Sequence, residues 1–122
     1  MSDELHMIKA IADDVVALAN AGEFDAIGEK YWDDDVVSVE SGDGPMAVTD
    51  GIEAVRGKSV WWNSAHTIHS AQAHGPWLNG DQFTVRFVMD VTVNDTATRM
   101  QMDEIALYTI DDGKIIEERF FY

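Results

Sequence analysis

The sequence predicts an α+β domain in which three N-terminal helices pack on a strongly curved antiparallel sheet. Two observations carry most of this. Residues 82–122 hold three apolar-patterned runs separated by the turn signals Asn94-Asp95 and Asp111-Asp112-Gly113, the pattern of an antiparallel meander. Between Gln82 and Val93 the odd positions, Phe83 to Val93, are all apolar while the even ones are mostly polar or charged, so one face of this strand is core. The run is also long beside the usual strand of about five or six residues. A sheet containing it has to curve or bulge, half-enclosing a space, and that space is where function is sought.

Composition bounds the rest. The 122 residues suit a single domain, 1–122, with a core large enough to need no disulfide or metal. The chain has no cysteine, which excludes thiolate chemistry and makes the reducing cytoplasm the expected compartment. Met1-Ser2-Asp3-Glu4 has no basic region or following apolar stretch of the signal-peptide kind, and no run reaches membrane-spanning length. A net charge of -15 repels phosphate backbones and anionic lipid, so neither nucleic acid nor membrane is an expected partner.

In chain order, Leu5, Ile8, Ile11, Ala12, Val15, Leu18 and Ala19 form the apolar stripe of a first helix, capped by Ser2 or Asp3 and stopped at Gly22. A second helix runs from about Asp25 to Trp32, burying Phe24, Ile27 and Tyr31, and Asp33-Asp34-Asp35 ends it. Val36–Glu40 reads as a short strand and Ser41–Pro45 as a loop. Asp50 and Glu53 have capping-box spacing for a third helix ending near Ala65. A strand follows from about Thr67 to Leu78.

Four segments, Ala19–Asp25, Tyr31–Val37, Asp50–Gly57 and Asp112–Tyr122, resemble the successive landmarks of SnoaL-like domains, members of the nuclear transport factor 2-like superfamily. The resemblance spans nearly the whole chain. It implies a cystatin-like cone with a ligand cavity between helices and concave sheet, and a homodimer formed through the outer sheet face. Ketosteroid isomerases of this superfamily carry a proton-moving carboxylate at the end of the first strand, and Glu40 falls there. Their first-helix tyrosine is replaced here by Val15, and their protonated acid maps near Glu104 to Ala106.

Strand register gives an independent argument for Glu104. With a two-residue turn at Asn94-Asp95, Arg86 faces Asp103 and Asp90 faces Arg99 on the outer side, while Met89 faces Met100 and Phe87 faces Met102 inside. Glu104 then points inward, opposite Val85. A carboxyl among apolar groups has a raised pKa, as a general acid or base requires; alternatively it reaches the rim or pairs with Arg119.

The remaining candidates are histidine and aromatic. A three-residue Asn79-Gly80-Asp81 turn puts His69, Ala71, Ala73 and Trp77 on the inner face, the alanines leaving room for a ligand; a two-residue Asn79-Gly80 turn would bring His74 in instead. His66, His69 and His74 do not converge on a regular strand, so no metal site is expected. Of Trp61 and Trp62, one ring packs in the core and the other lines the cavity mouth or a dimer surface. Asp33-Asp34-Asp35 and Glu117-Glu118 read as solvated. The expected site thus has Glu40, Glu104 and His69 as catalytic residues, and Trp32, Trp62, Trp77, Phe87, Met102 and Tyr108 against a hydrophobic small molecule. Two classes of function fit: a cofactor-independent isomerase, cyclase or lyase, or a non-catalytic binding module.

Overall fold

The computed structural model describes residues 3–122. Helix α1 (Asp3–Asn20) buries Ile8, Ile11, Ala12, Val15 and Ala19 along its predicted stripe, with Asp3 and Glu4 at its positive end. The proposed Ser2 cap lies outside the described residues. At the other end the Glu23 N–H donates to the Leu18 carbonyl and the Gly22 N–H to the Ala19 carbonyl, at 2.9 and 3.1 Å. This is a Schellman closure, and Gly22 holds the left-handed φ of 76° that it requires.

Helix α2 (Phe24–Tyr31) stops one residue earlier than expected, because Trp32 is already extended and opens strand β1 (Trp32–Val39). The three aspartates therefore lie within a strand instead of ending the helix, with Asp34 and Asp35 exposed. A short strand unmarked in the sequence, β2 (Val48–Asp50), pairs with β1. The capping box at Asp50 does not form. Asp50 belongs to β2, and Gly51 takes the N-cap position of α3 (Ile52–Ala65) without a side-chain bond.

Strands β3 (His66–Asn79), β4 (Gln82–Val93), β5 (Thr98–Asp111) and β6 (Lys114–Phe121) complete one sheet in the order β2-β1-β6-β5-β4-β3. Its pairings are antiparallel except β1 with β6, which run parallel, so the sheet is mixed where the sequence suggested an antiparallel one. The core lies between α1 and the inner faces of β3, β4 and β5, around Ile8, Val15, Phe83, Val85 and Ala106. At the edge strand β3, the Asn20 amide donates to the Ala73 carbonyl at 3.0 Å and accepts its N–H at 2.8 Å, occupying backbone groups that β4 does not reach.

Two registers differ from expectation. Val93 pairs with Thr98, so the β4–β5 turn has four residues, Asn94 to Ala97, with Ala97 at a left-handed φ of 56°. Every pairing moves by two positions: Met89 faces Met102, Phe87 faces Glu104 and Val85 faces Ala106. A two-residue shift preserves the faces. Arg86 still reaches Asp103 through two hydrogen bonds, and Arg99 reaches Asp90, now as diagonal neighbours on the outer side. In β3 the turn is Gly80-Asp81, and irregularities between Ile68 and Ser70 and between His74 and Trp77 break the alternation. Ala71 and Ala73 face inward opposite Met89 and Phe87, as the three-residue turn predicted. His69 and Trp77 do not. Trp77 lies opposite Thr84 and is 56% exposed, and His69 bonds Thr92 Oγ1 through Nε2 at 2.7 Å on the outer face.

A carboxylate-rich cavity between α3 and the sheet

The concave face of the sheet, α2, α3 and the 42–47 loop enclose a cavity of about 700 Å³. Its deep end is built by the parallel pairing of β1 and β6, which sets Ser38 beside Glu118. Glu118 is almost fully buried. Its two carboxylate oxygens accept hydrogen bonds from Trp32 Nε1 and Ser38 Oγ, each at 2.8 Å. Lys58, from α3, donates to Ser38 Oγ at 2.8 Å and pairs with Glu40 Oε1 at 2.8 Å, its ammonium lying 5.5 Å from the Phe120 ring centroid. One lysine thus links Glu40, just past the end of β1, to Ser38 and through it to Glu118 of β6.

Glu104 stands apart from this network. It lines the same cavity, yet among the described residues no hydrogen bond or ion pair holds its carboxyl. Burial, followed by the negative charge of Glu40, pushes its pKa up to about 7, against the smaller opposing pull of Lys58. Burial also raises the Glu118 carboxyl, although its Ser38 and Trp32 donors oppose the shift. Tyr108 is 4% exposed and lines the cavity, and no hydrogen bond engages its hydroxyl among the described residues. Burial and the nearby Glu118 and Glu104 carboxyls hold that phenol protonated. Among the described residues the cavity lining therefore includes a hydroxyl without a partner and, on the same strand, a carboxyl with a raised pKa.

At the mouth, Trp62 stacks on His66 with ring centroids 4.2 Å apart, and Trp61 meets the same imidazole edge-on at 6.2 Å. Neither indole is fully buried, so both serve the mouth and neither the core. The Trp62 carbonyl accepts from His66 Nδ1 at 2.8 Å, which leaves Nε2 as the acceptor of the neutral ring.

Residues 7–122 match the profile of the SnoaL-like domain. The chain belongs to the SnoaL-like family. No curated protein sequence matches it. Among solved structures, a Mesorhizobium loti protein provisionally described as a SnoaL-like polyketide cyclase [carbohydrate phosphatase] shares 49% identity at a TM-score of 0.92, covering 94% of this chain and 98% of its own. A provisionally named isomerase from Bacillus subtilis aligns with TM-score 0.75 at 16% identity over 98% and 88% of the two chains. A hypothetical protein of ketosteroid isomerase-like fold from Catenulispora acidiphila, in complex with trimethylamine, aligns with TM-score 0.72 at 18% identity over 92% and 84%. At these identities the last two show a shared fold alone.

Of the residues singled out in the sequence, Glu40, Glu104, Trp32, Trp62, Phe87, Met102 and Tyr108 line this SnoaL-like cavity, whereas Trp77 and His69 do not. His66 lines the mouth while His69 and His74 stand outside it. Sequence reasoning missed Lys58 and misplaced Glu118 in solvent. Helical spacing held a signal for Lys58, since Val55, Lys58 and Trp62 share one stripe. For Glu118 the signal was Phe120, two residues on in the same strand and also in the cavity wall.

The Trp32 ring lies across Gly28 of α2, where a Cβ would fall 2.6 Å from ring carbons. Gly28→Ala would gain about 1 kcal/mol of helix propensity, yet it has to displace the indole that donates to Glu118. A net loss of about 1 to 3 kcal/mol is expected in urea unfolding. An increase in stability would show that Trp32 is loosely seated.

Proposed function

We propose that this SnoaL-like protein is a cofactor-independent enzyme of the isomerase, cyclase or lyase kind that moves a proton on an apolar small molecule held in the cavity. The observation carrying this reading is Glu104, an acid with no hydrogen-bond or ion-pair partner among the described residues in a largely apolar enclosure, its pKa pushed up to about 7. A carboxyl with that pKa can both take and return a proton near neutral pH. Glu104 takes a proton from a carbon next to a ligand carbonyl, and the Tyr108 hydroxyl donates to the oxygen on which charge develops. Glu40, tied to Lys58, and Glu118, tied to Trp32 and Ser38, hold the surrounding field in place. His69 has no part, since its side chain lies on the outer face. Trp32, Trp62, Phe87 and Met102 supply walls. The complex of the C. acidiphila protein with trimethylamine supports small-molecule binding by folds of this type.

The test is exchange of the α-protons of a bicyclic ketone such as 2-tetralone for deuterium, followed by NMR. Glu104 has to be ionised to accept a proton, so the catalysed rate is expected to rise with pH through about 7 and then level. Binding of the ketone without catalysed exchange at any pH would instead establish a non-catalytic binding module.

The protein is further proposed to pair as a homodimer through the outer sheet face. Val88, Ile105 and Leu107 lie there only partly buried, and the outward turn of Trp77 adds a large half-exposed ring beside Leu107. Sedimentation at micromolar concentration is expected to give a dimer that Trp77→Glu dissociates. A wild-type monomer would dismiss the interface. The cysteine-free chain suits a reducing compartment such as the cytoplasm, and among the described residues no helix is long and apolar enough to cross a membrane.

A further inference from the structure

The charges lining the cavity do not balance. Glu40, Asp43, Glu104 and Glu118 contribute acids, and Lys58 is the only lysine or arginine among the lining residues. That lysine is already committed to Glu40 and Ser38. An anionic ligand would enter against this field with no uncommitted lysine or arginine among the described lining residues to receive it. A cation would find the opposite: an unpaired carboxyl at Glu104, and walls formed by Phe24, Trp32, Trp62, Phe87 and Phe120.

Two further features point the same way. The Tyr108 hydroxyl, on a residue more than nine-tenths buried, lines this space without a partner among the described residues, and its oxygen can accept from an N–H. The protein also houses one ammonium here already. Lys58, with a side chain 11% exposed, is held by a carboxylate, a hydroxyl and an aromatic ring, the three kinds of group that Glu104, Tyr108 and the other aromatic walls would offer a second.

We infer that the ligand of this cavity is an apolar amine, whose ammonium group pairs with the Glu104 carboxylate against the aromatic walls. This names the substrate class for the proton-transfer site proposed above and rests on that reading of the cavity. It has a chemical consequence. Glu104 shares the cavity with Glu40, Glu118, Lys58, Tyr108 and Tyr122, and with Asp43 and His66 nearer the mouth, and a ligand cation arriving among them favours its ionised form. The amine would itself convert the resting acid into the base that the reaction needs, and binding would release a proton.

Isothermal titration calorimetry on the full chain tests this with three probes of similar size: benzyltrimethylammonium, neutral 4-phenylbutan-2-one and anionic 3-phenylpropionate. The quaternary cation has no N–H to lose, so any proton released comes from the protein. At pH 6.5, in two buffers of different ionisation enthalpy, the cation is expected to bind roughly tenfold or more tightly than the ketone and to release a fraction of a proton. The carboxylate is expected not to bind. Glu104→Gln should lower cation affinity by roughly tenfold and abolish the proton release. A ketone that binds as tightly as the cation, a cation that fails to bind, or a cation insensitive to Glu104→Gln would each overturn the inference. Cation binding without catalysed ketone exchange would sink the catalytic reading alone; exchange without cation preference would sink this one alone.

Discussion

Glu104→Gln is expected to lower the rate of catalysed proton exchange by about 100- to 10,000-fold while making the protein more stable above neutral pH. Both effects come from one carboxyl. The folded state holds a proton on Glu104 until about pH 7, whereas an unperturbed glutamate releases it near 4.5. Folding therefore binds a proton between these values, so the contribution of Glu104 to stability is fully present below pH 4.5 and is lost as pH rises through 7. At about 1.4 kcal/mol per pKa unit, the interval carries about 3 kcal/mol as an upper figure. The amide cannot ionise and escapes that loss. Thermal unfolding at pH 5 and pH 8 should show a wild-type decline that the variant flattens. A variant less stable than wild type at pH 8, or one that retains full exchange activity, would show that Glu104 is anchored and its charge is not what the site uses.

Glu118→Ala should have the second large effect, here on the fold. Removing the carboxylate strips the acceptor from Trp32 Nε1 and Ser38 Oγ together, and leaves an unfilled volume between β1 and β6. Two donors losing a buried partner, with a small cavity added, correspond to about 2 to 4 kcal/mol in urea unfolding. Glu118→Gln keeps the shape and one carbonyl acceptor and should cost less than half as much. Equal losses in the two variants would mean that the charge of Glu118, and not its hydrogen bonds, stabilises the wall.

How far the site was legible depended on how far alternation held. From Phe83 to Val93 the pleat is regular, so the inner face could be read directly; because Glu104 lies on the strand opposite, even a register wrong by two placed it inside. The turn length was not legible. Its left-handed residue is Ala97, a type that gives no signal of that conformation. His69 and Trp77 were misassigned because each sits at a break in β3, and a break reverses the face of whatever follows. Glu118 was hidden in the same way, by the irregularity opposite Thr109 and Ile110. The short β2 and the parallel β1–β6 pairing are tertiary choices with no local pattern to announce them.

That parallel pairing also bears on how the protein reaches its folded state. Strand β6, last in chain order, lies in the interior of the sheet and, among the described residues, joins β1 and β2 to β3, β4 and β5. Until it inserts, β1 and β5 each expose a hydrogen-bonding edge, the surface on which partly folded chains associate. Ser38 and Glu118, on strands β1 and β6, are brought together only by that pairing, so no folding intermediate lacking β6 contains the deep end of the cavity. Ligand added during refolding can consequently draw only on the finished state, and should raise yield by mass action without hastening the step that closes the sheet.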